Sequence, residues 1–246
     1  MDPSSGATAR KTILVIIVAL FLIAAIGVTV IPKFLVRGAI SIAQATTTRH
    51  TLARLEAGLA GFRDDFGDYP PSDKEHMAAR PYGYQNLAYY LCGPDGTGWG
   101  GRAGGTMPFG GTNEEIFGPY FARDSKDLRL HPAAPISDAF QPPKPILYFR
   151  AEPAEEPMFD AADNPLDPTG REGFASQEHF EMLARQAGGQ RNVPPGWVRT
   201  DYLLISAGPD RLFGYVVEDK TSGGSRPARP EEKDKAYCDD IVNFKY

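Results

Sequence analysis

A chain of 246 residues with 42 % hydrophobic and 11 % aromatic content can bury one core of ordinary size. Its 23 % of charged residues excludes a chain disordered throughout, and a net charge of −5 excludes the basic footprint that nucleic-acid binding requires. Twenty-six glycines and 22 prolines predict many loops.

The first element in chain order is Thr12–Ile31, an apolar run with no charged residue. About twenty apolar residues at about 1.5 Å rise cross a bilayer core of about 30 Å. Pro32, Lys33 and Phe34 follow where a signal peptide would place small residues for cleavage, so the run reads as a retained transmembrane helix. A buried core helix is the alternative. Arg10 and Lys11 precede the run and put the N-terminus in the cytoplasm, although Lys33 and Arg37 oppose them from the other side.

The helix continues beyond the membrane. Leu52, Leu55, Leu59, Phe62, Phe66 and Tyr69 recur at spacings of three and four and draw one apolar stripe, while Arg54, Glu56, Arg63 and Asp64 fall off it. Pro32 predicts a kink at the bilayer surface, and Gly67 with Pro70–Pro71 ends the helix. The whole would be roughly 85 Å long. A short helix is predicted over Tyr84–Leu91, a glycine-rich loop over Gly93–Gly118, a strand over Ile146–Arg150 and an acidic, proline-rich loop over Ala151–Gly173. Ser176–Gln186 reads as a helix with Phe180 and Leu183 inward. Asp201–Ser206 and Phe213–Glu218 read as strands joined by a turn at Gly208–Pro209–Asp210. Ser222–Lys235 reads as a charged, flexible insertion. The expected fold class is α+β: a long N-terminal transmembrane helix whose exported half packs on a small antiparallel sheet, with long loops. The divisions are a cytoplasmic N-terminus (1–11), the transmembrane helix (12–31), its exported continuation (32–69) and a globular domain (70–246). The two cysteines, Cys92 and Cys238, can form a disulfide in an oxidising compartment or stay as thiols.

Four stretches stand in order along the chain: Ile31–Pro32–Lys33–Phe34–Leu35; Phe66–Gly67–Asp68–Tyr69–Pro70; Ser137–Asp138–Ala139–Phe140 with Ile146–Leu147–Tyr148–Phe149; and Tyr202–Asp210 with Asp239–Asp240–Ile241–Val242–Asn243–Phe244. Together they resemble the type IV pilin superfamily, and most closely the major pseudopilin of type II secretion. The apolar helix runs through Ile31–Pro32–Lys33–Phe34–Leu35, similar to the family's proline about twenty residues into the mature helix. The helix exit Phe66–Gly67–Asp68–Tyr69–Pro70 is similar to its Tyr-Pro ending. Ser137–Asp138–Ala139–Phe140 followed by Ile146–Leu147–Tyr148–Phe149 resembles a worn "Asp-Pro-Trp-Gly … Tyr-x-Tyr". Tyr202–Asp210 followed by Asp239–Asp240–Ile241–Val242–Asn243–Phe244 resembles the "Ser-x-Gly-x-Asp … Asp-Ile-x-Asn-Trp" ending. The prepilin cleavage motif departs from the family: alignment on Pro32 puts Arg10 on its glycine, Lys11 on its phenylalanine and Val15 on its glutamate. That glutamate is thought to neutralise a neighbour's N-terminal amine in a filament. An uncleaved chain keeps its amine in the cytoplasm, so the two losses are mutually consistent.

The resemblance implies a structural, non-enzymatic subunit or accessory of a type II secretion or type IV pilus-like system. It implies location in the inner membrane, with the C-terminal domain periplasmic or extracellular. The partners implied are the membrane, further copies of the chain, other pseudopilins and secretion-machine components. A membrane-anchored pilin-like binding module that forms no filament is the alternative. The resemblance also implies Ca²⁺ in the C-terminal loop, held by Asp210, Asp239 and Asp240 with the carbonyl of Leu212. Ca²⁺ takes six to eight oxygens, and a cation relieves repulsion among clustered aspartates. Against it, a long insertion separates Asp210 from Asp239, and Arg211 stands where the family prefers glycine.

Other chemistry finds little support. Gly96, Gly98 and Gly101 match G-x-G-x-x-G without a strand before or a helix-forming run after. His50, His76, His131 and His179 are scattered, with no HExxH and no CxxC partner set. There is no G-x-S-x-G elbow and no Walker loop, and no carboxylate pair is singled out by spacing.

Overall fold

A computed structural model describes residues 36, 38–73, 80–94, 96–100, 116–122, 134–152, 158–186, 196–197, 200–219 and 224–243. The chain falls into two compact units, Met1–Ala43 and Gln44–Tyr246. In the first, residues 38–43 are helical, and Val36, Ile40 and Ile42 are exposed. The apolar run Thr12–Ile31 lies outside the described residues. Among the described residues no helix is long and apolar enough to cross a membrane.

The second unit is α+β, with three helices and small antiparallel sheets among its described residues. Helix α1 covers residues 44–66. Its stripe behaves as the spacing predicts: Leu52, Leu55, Leu59 and Phe62 are buried, with Phe66 and Tyr69 packed at the margin. Gly67 closes it with φ +81 and an N–H donated to the Arg63 carbonyl at 2.7 Å, a left-handed C-terminal cap. Then follow α2 (Gly83–Cys92), β1 (Trp99–Gly100), β2 (Ile116–Phe117), β3 (Leu147–Arg150) and a 3-10 turn at Ala161–Asp163. Next come α3 (Gln177–Ala184), β4 (Arg185–Gln186), β5 (Gly196–Trp197), β6 (Tyr202–Ser206), β7 (Val216–Asp219) and β8 (Gly224–Pro227). A 3-10 segment at Pro230–Lys235 leads to β9 (Ile241–Val242).

The central sheet is antiparallel in the order β3-β6-β9, with Tyr148 opposite Leu204 and Ser206 opposite Ile241. Tyr148, Leu204 and Ile241 join the cluster built on α1 and α2. Leu147, Phe149, Leu203 and Ile205 join a second cluster with Phe159, Phe174, Phe180, Leu183 and Phe213. Both faces of the sheet are therefore covered, which explains why β3 and β6 read as continuous apolar runs rather than alternating ones. Part of the covering layer of the second face comes from the stretch read as a loop. Phe159 and Ala161 within Ala151–Gly173 are buried in it. α3 starts at its Ser176 cap, whose hydroxyl accepts from the His179 N–H.

The outer edge of β3 is closed by side chains instead of a strand. Ser72 Oγ accepts the Arg150 N–H at 2.9 Å, and Asn164 Nδ2 donates to the Tyr148 carbonyl at 2.8 Å while its Oδ1 accepts from the Tyr84 N–H. Such closure protects the edge from pairing with another chain. Gly83 permits it: a Cβ there would stand 2.1 Å from the Tyr148 carbonyl oxygen. Gly83→Ala is expected to cost about 1–3 kcal/mol by overpacking, read as a lower urea midpoint with an unchanged slope. A midpoint equal to the parent's would show that α2 can withdraw from β3.

Three expectations need correction, and the alternative left open for the cysteines is narrowed. The strand after the Gly208 turn does not pair with β6; β7 pairs with β8 instead, Val217 opposite Arg226. Ser222–Lys235 is accordingly ordered over its described part, where Arg226 makes a two-pronged ion pair with Glu232. Within Gly93–Gly118, Trp99 is buried in the helix-side core and β1 pairs with β2, so that stretch is more than a loop. Cys92 and Cys238 form no disulfide with each other. Cys92 lies in the cluster of α1 and α2, donating to the Phe121 carbonyl, while Cys238 packs against the cluster on the opposite face of the sheet. The sheet stands between the two sulfurs.

Candidate functional site

The site is built at the end of β6. The chain leaves Ser206 through Ala207 and Gly208, whose φ is +62 and where a Cβ would lie 2.3 Å from the Asp239 carbonyl oxygen. Only glycine lets the turn approach the tail so closely. Asp210 Oδ1 accepts the Leu212 N–H at 2.9 Å, the short-range bond by which aspartate shapes a turn. Asp239 Oδ2 accepts the Asp210 N–H at 3.2 Å, and Asp240 Oδ2 accepts the Gly214 N–H at 2.7 Å. β9 then pairs with β6, and Asn243 holds it there by accepting the Leu204 N–H at 2.7 Å through Oδ1.

Asp210, Asp239 and Asp240, the carboxylates singled out in the sequence, thus stand on one turn and its facing tail. The 28 residues between Asp210 and Asp239 do not part them. Val216 and Tyr237 exchange both backbone hydrogen bonds, at 2.8 and 3.0 Å, and close the insertion at its root. Leu212 is present through its N–H on Asp210, with its side chain buried.

One oxygen of each aspartate takes part in these bonds. The other oxygen, Oδ2 of Asp210 and Oδ1 of Asp239 and Asp240, is buried without a donor among the described residues when the three are ionised; a proton on Asp210 hydrogen-bonds it to Asp239, and the Cys238 thiol lies within reach of Asp240. Buried acceptors without donors are uncommon and costly. The electrostatics agree. Burial pushes Asp210 up to about 7, with the neighbouring Asp239 charge adding to it and Arg211 opposing. Burial raises Asp239 as well, and raises Asp240 despite the Gly214 N–H. Burial also raises the Cys238 thiol, with Asp240 contributing. Among the described residues no three His, Cys, Asp or Glu side chains stand already gathered as a metal-ligand set.

Arg211 completes the turn, with φ 67, the left-handed region that favours glycine. Its guanidinium turns away from the aspartates: Nη1 donates to Asp138 Oδ2 at 2.7 Å and Nη2 to the Pro142 carbonyl. Asp138 is buried and also accepts from Ser206 Oγ at 3.0 Å and from the Lys144 N–H at 3.0 Å. Sequence reasoning placed Asp138 in a motif without giving it a role.

The remaining sequence candidates do not assemble into a site. Gly96 and Gly98 follow α2 rather than a strand, which removes the dinucleotide reading; Gly101 lies outside the described residues. His50 is exposed on α1. His179 is buried, its Nδ1 accepting the Ala175 N–H while Nε2 meets the Tyr215 carbonyl at 2.7 Å, and burial lowers its pKa. His76 and His131 lie outside the described residues. Asp163 is raised to about 7 by burial, opposed by the Ser72 hydroxyl that donates to it. Its partner and its place beside the β3 edge give it a structural use. The chain matches no protein-family model, no curated protein and no solved structure.

Proposed function

We propose that this chain is a structural, non-enzymatic pseudopilin-like subunit or accessory of a type II secretion or type IV pilus-like system. It is held in the inner membrane by Thr12–Ile31 with its N-terminus in the cytoplasm. The observation that carries the reading is the coupling of two features in one unit: an amphipathic helix packed by one face on a small antiparallel sheet, and a C-terminal strand whose preceding aspartates meet the turn after β6. In this role the apolar run packs beside like helices in the bilayer, and the globular units face outward. A head-to-tail arrangement of copies is heterologous and grows helically. Cross-linking in native membranes is expected to trap oligomers or a larger machine component; monomer alone overturns the reading.

The same reading includes Ca²⁺ at Asp210, Asp239 and Asp240, with the Leu212 carbonyl as a further oxygen. The three buried carboxylate oxygens, without a donor when ionised, fit a hard cation, which prefers oxygen donors. Bound there, the cation would supply charge neutralisation and no reaction chemistry. The protein's own residues do the rest: the Leu212 and Gly214 N–H groups orient two of the carboxylates, and β9 keeps the tail against the turn.

The second reading is a membrane-anchored, pilin-like binding module that forms no filament. Arg10, Lys11 and Val15 in place of the cleavage motif favour it. The N-terminal mass of protein from its native membrane separates the two. A start near Lys11 with a methylated amine supports the filament subunit, and an intact start at Met1 supports the fixed anchor.

A further inference from the structure

We propose that Asp138 is a positioning residue for the cation site: it holds the Arg211 guanidinium away from Asp210, Asp239 and Asp240 and so keeps their carboxylate oxygens open to a cation. The inference rests on the cation reading above and concerns what this chain has done with an arginine inside its own ligand turn.

Arg211 lies between Asp210 and Leu212, two of the residues assigned to the cation. A guanidinium carries five N–H donors and pairs with carboxylates in a two-pronged fork. Beside it lie three carboxylates, each with a buried oxygen that no donor satisfies while all three are ionised. Left to itself, the side chain would fill that demand and become the site's permanent counter-charge. It does not. Nη1 is bound to Asp138 and reaches the Gly208 carbonyl at 3.4 Å, and Nη2 is bound to the Pro142 carbonyl. The guanidinium carbon lies 5.9 Å from the centre of the Phe140 ring. Nε, meanwhile, is buried without a partner, so the orientation does not satisfy the guanidinium's own donors in full. What fixes it is Asp138, whose side chain is 0 % exposed against 16 % for Arg211. Asp138 cannot follow the arginine, because Ser206 Oγ and the Lys144 N–H hold its two oxygens. Its own N–H also donates to the Lys144 carbonyl at 2.9 Å. The anchor is rigid and the arginine flexible, so the anchor decides.

Asp138 thereby separates two charges that adjacency in sequence would unite. The same ion pair accompanies the left-handed turn conformation of Arg211, φ 67, which a side chain rarely adopts.

Calcium titration of the full-length chain in detergent tests this, using Ca²⁺ alone and calorimetry on three proteins. Asp138→Asn keeps the size of the residue and, through Oδ1, the Lys144 N–H contact, but its NH2 cannot accept from the guanidinium and the charge is gone. It is expected to weaken Ca²⁺ binding by about tenfold or more, because the released guanidinium competes for the aspartates. Asp138→Asn combined with Arg211→Gln, which removes the competitor, is expected to return binding to near the parent's. If the pair were only a staple of the 138–142 loop, both variants would lose it equally and the double variant would bind as weakly as the single one; that result overturns the proposal. Unchanged binding in Asp138→Asn overturns it too. A parent protein that binds no Ca²⁺ overturns the cation reading itself, a failure visible before either variant is measured.

Discussion

Phe62→Ala is expected to remove about 3–5 kcal/mol of stability, a large share of the 5–15 kcal/mol that holds a domain folded. Phe62 is 0 % exposed and sits where the helix, α2 and the segment after β2 converge. Its ring centre lies 4.5 Å from Phe66, 5.5 Å from Tyr120 and 5.9 Å from Tyr90. Deleting it leaves a void that rings held by their own partners cannot close: Tyr120 Oη donates to Asp65 at 2.6 Å, and the Trp99 indole donates to the Tyr90 carbonyl at 2.8 Å. Asp64→Ala, on the exposed side of the same turn, is expected to stay within about 0.5 kcal/mol. Urea unfolding of the two variants gives the comparison. A loss below about 1 kcal/mol at Phe62 would show that α1 is not packed as part of this core.

Calcium is expected to raise the melting temperature at pH 7 by roughly 5–10 °C at a hundredfold excess over its Kd, and to have no effect near pH 4. Mass action sets the size, at about 2.7 kcal/mol for that excess and about 2–4 °C per kcal/mol for a domain of this length. The sign comes from the carboxyls. Asp210 and Asp163 titrate near 7 in the folded protein, and Asp239 and Asp240 are also raised. Each binds its proton more tightly folded than unfolded. Their stabilising protonation is fully present below the ordinary value of 3.8 and is lost as the pH rises to about 7. His179 works in the opposite sense, since its lowered pKa removes stability as the pH falls through 6.5, but it is one group against four. Below pH 4 a second loss begins, as Asp167 and Glu232, both lowered to about 2, take up protons. Cation-free protein is therefore expected to melt at a falling temperature from pH 4 to pH 7. Ca²⁺ restores most of that loss by replacing the protons at the tail. Asp210→Asn should abolish the calcium shift, whereas Asp163→Asn should leave it intact and flatten the remaining slope. An equal shift at pH 4 and pH 7 would mean that Ca²⁺ binds elsewhere.

Much of the fold was legible because it rests on local periodicity. The stripe from Leu52 to Phe62 repeats at the helical pitch, Gly67 marks its end by cap chemistry, and Leu147–Arg150 and Tyr202–Ser206 are short continuous apolar runs of strand length. The turn at Gly208–Asp210 carried its own residue chemistry. The second apolar layer was legible only in its helix, where Phe180 and Leu183 read as inward. Phe159, Phe174 and Phe213 are isolated aromatics among glycines, prolines and acids, and nothing in their neighbourhood shows that they converge on one sheet face. β7 looked like the partner of β6 because hairpins are the default for adjacent strands. The structure gives that edge of β6 to β9, and β7 turns away to pair with β8.

The candidate site divides along the same line. By itself the sequence determined the ingredients: three aspartates, the glycine turn, the tail motif around Ile241–Asn243, and an arginine out of place at 211. Only the tertiary structure decided that the insertion closes on itself at Val216 and Tyr237, that each tail aspartate keeps one buried oxygen without a donor when ionised, and that Asp138 holds the arginine. It also decided that the two cysteines lie on opposite faces of the sheet. The reason is physical. Turn and cap chemistry acts over a few residues and is written in the order of the chain. Burial, charge pairing and the choice of strand partner depend on which distant segments meet, and here the segments meeting at the site are 73 and 29 residues apart.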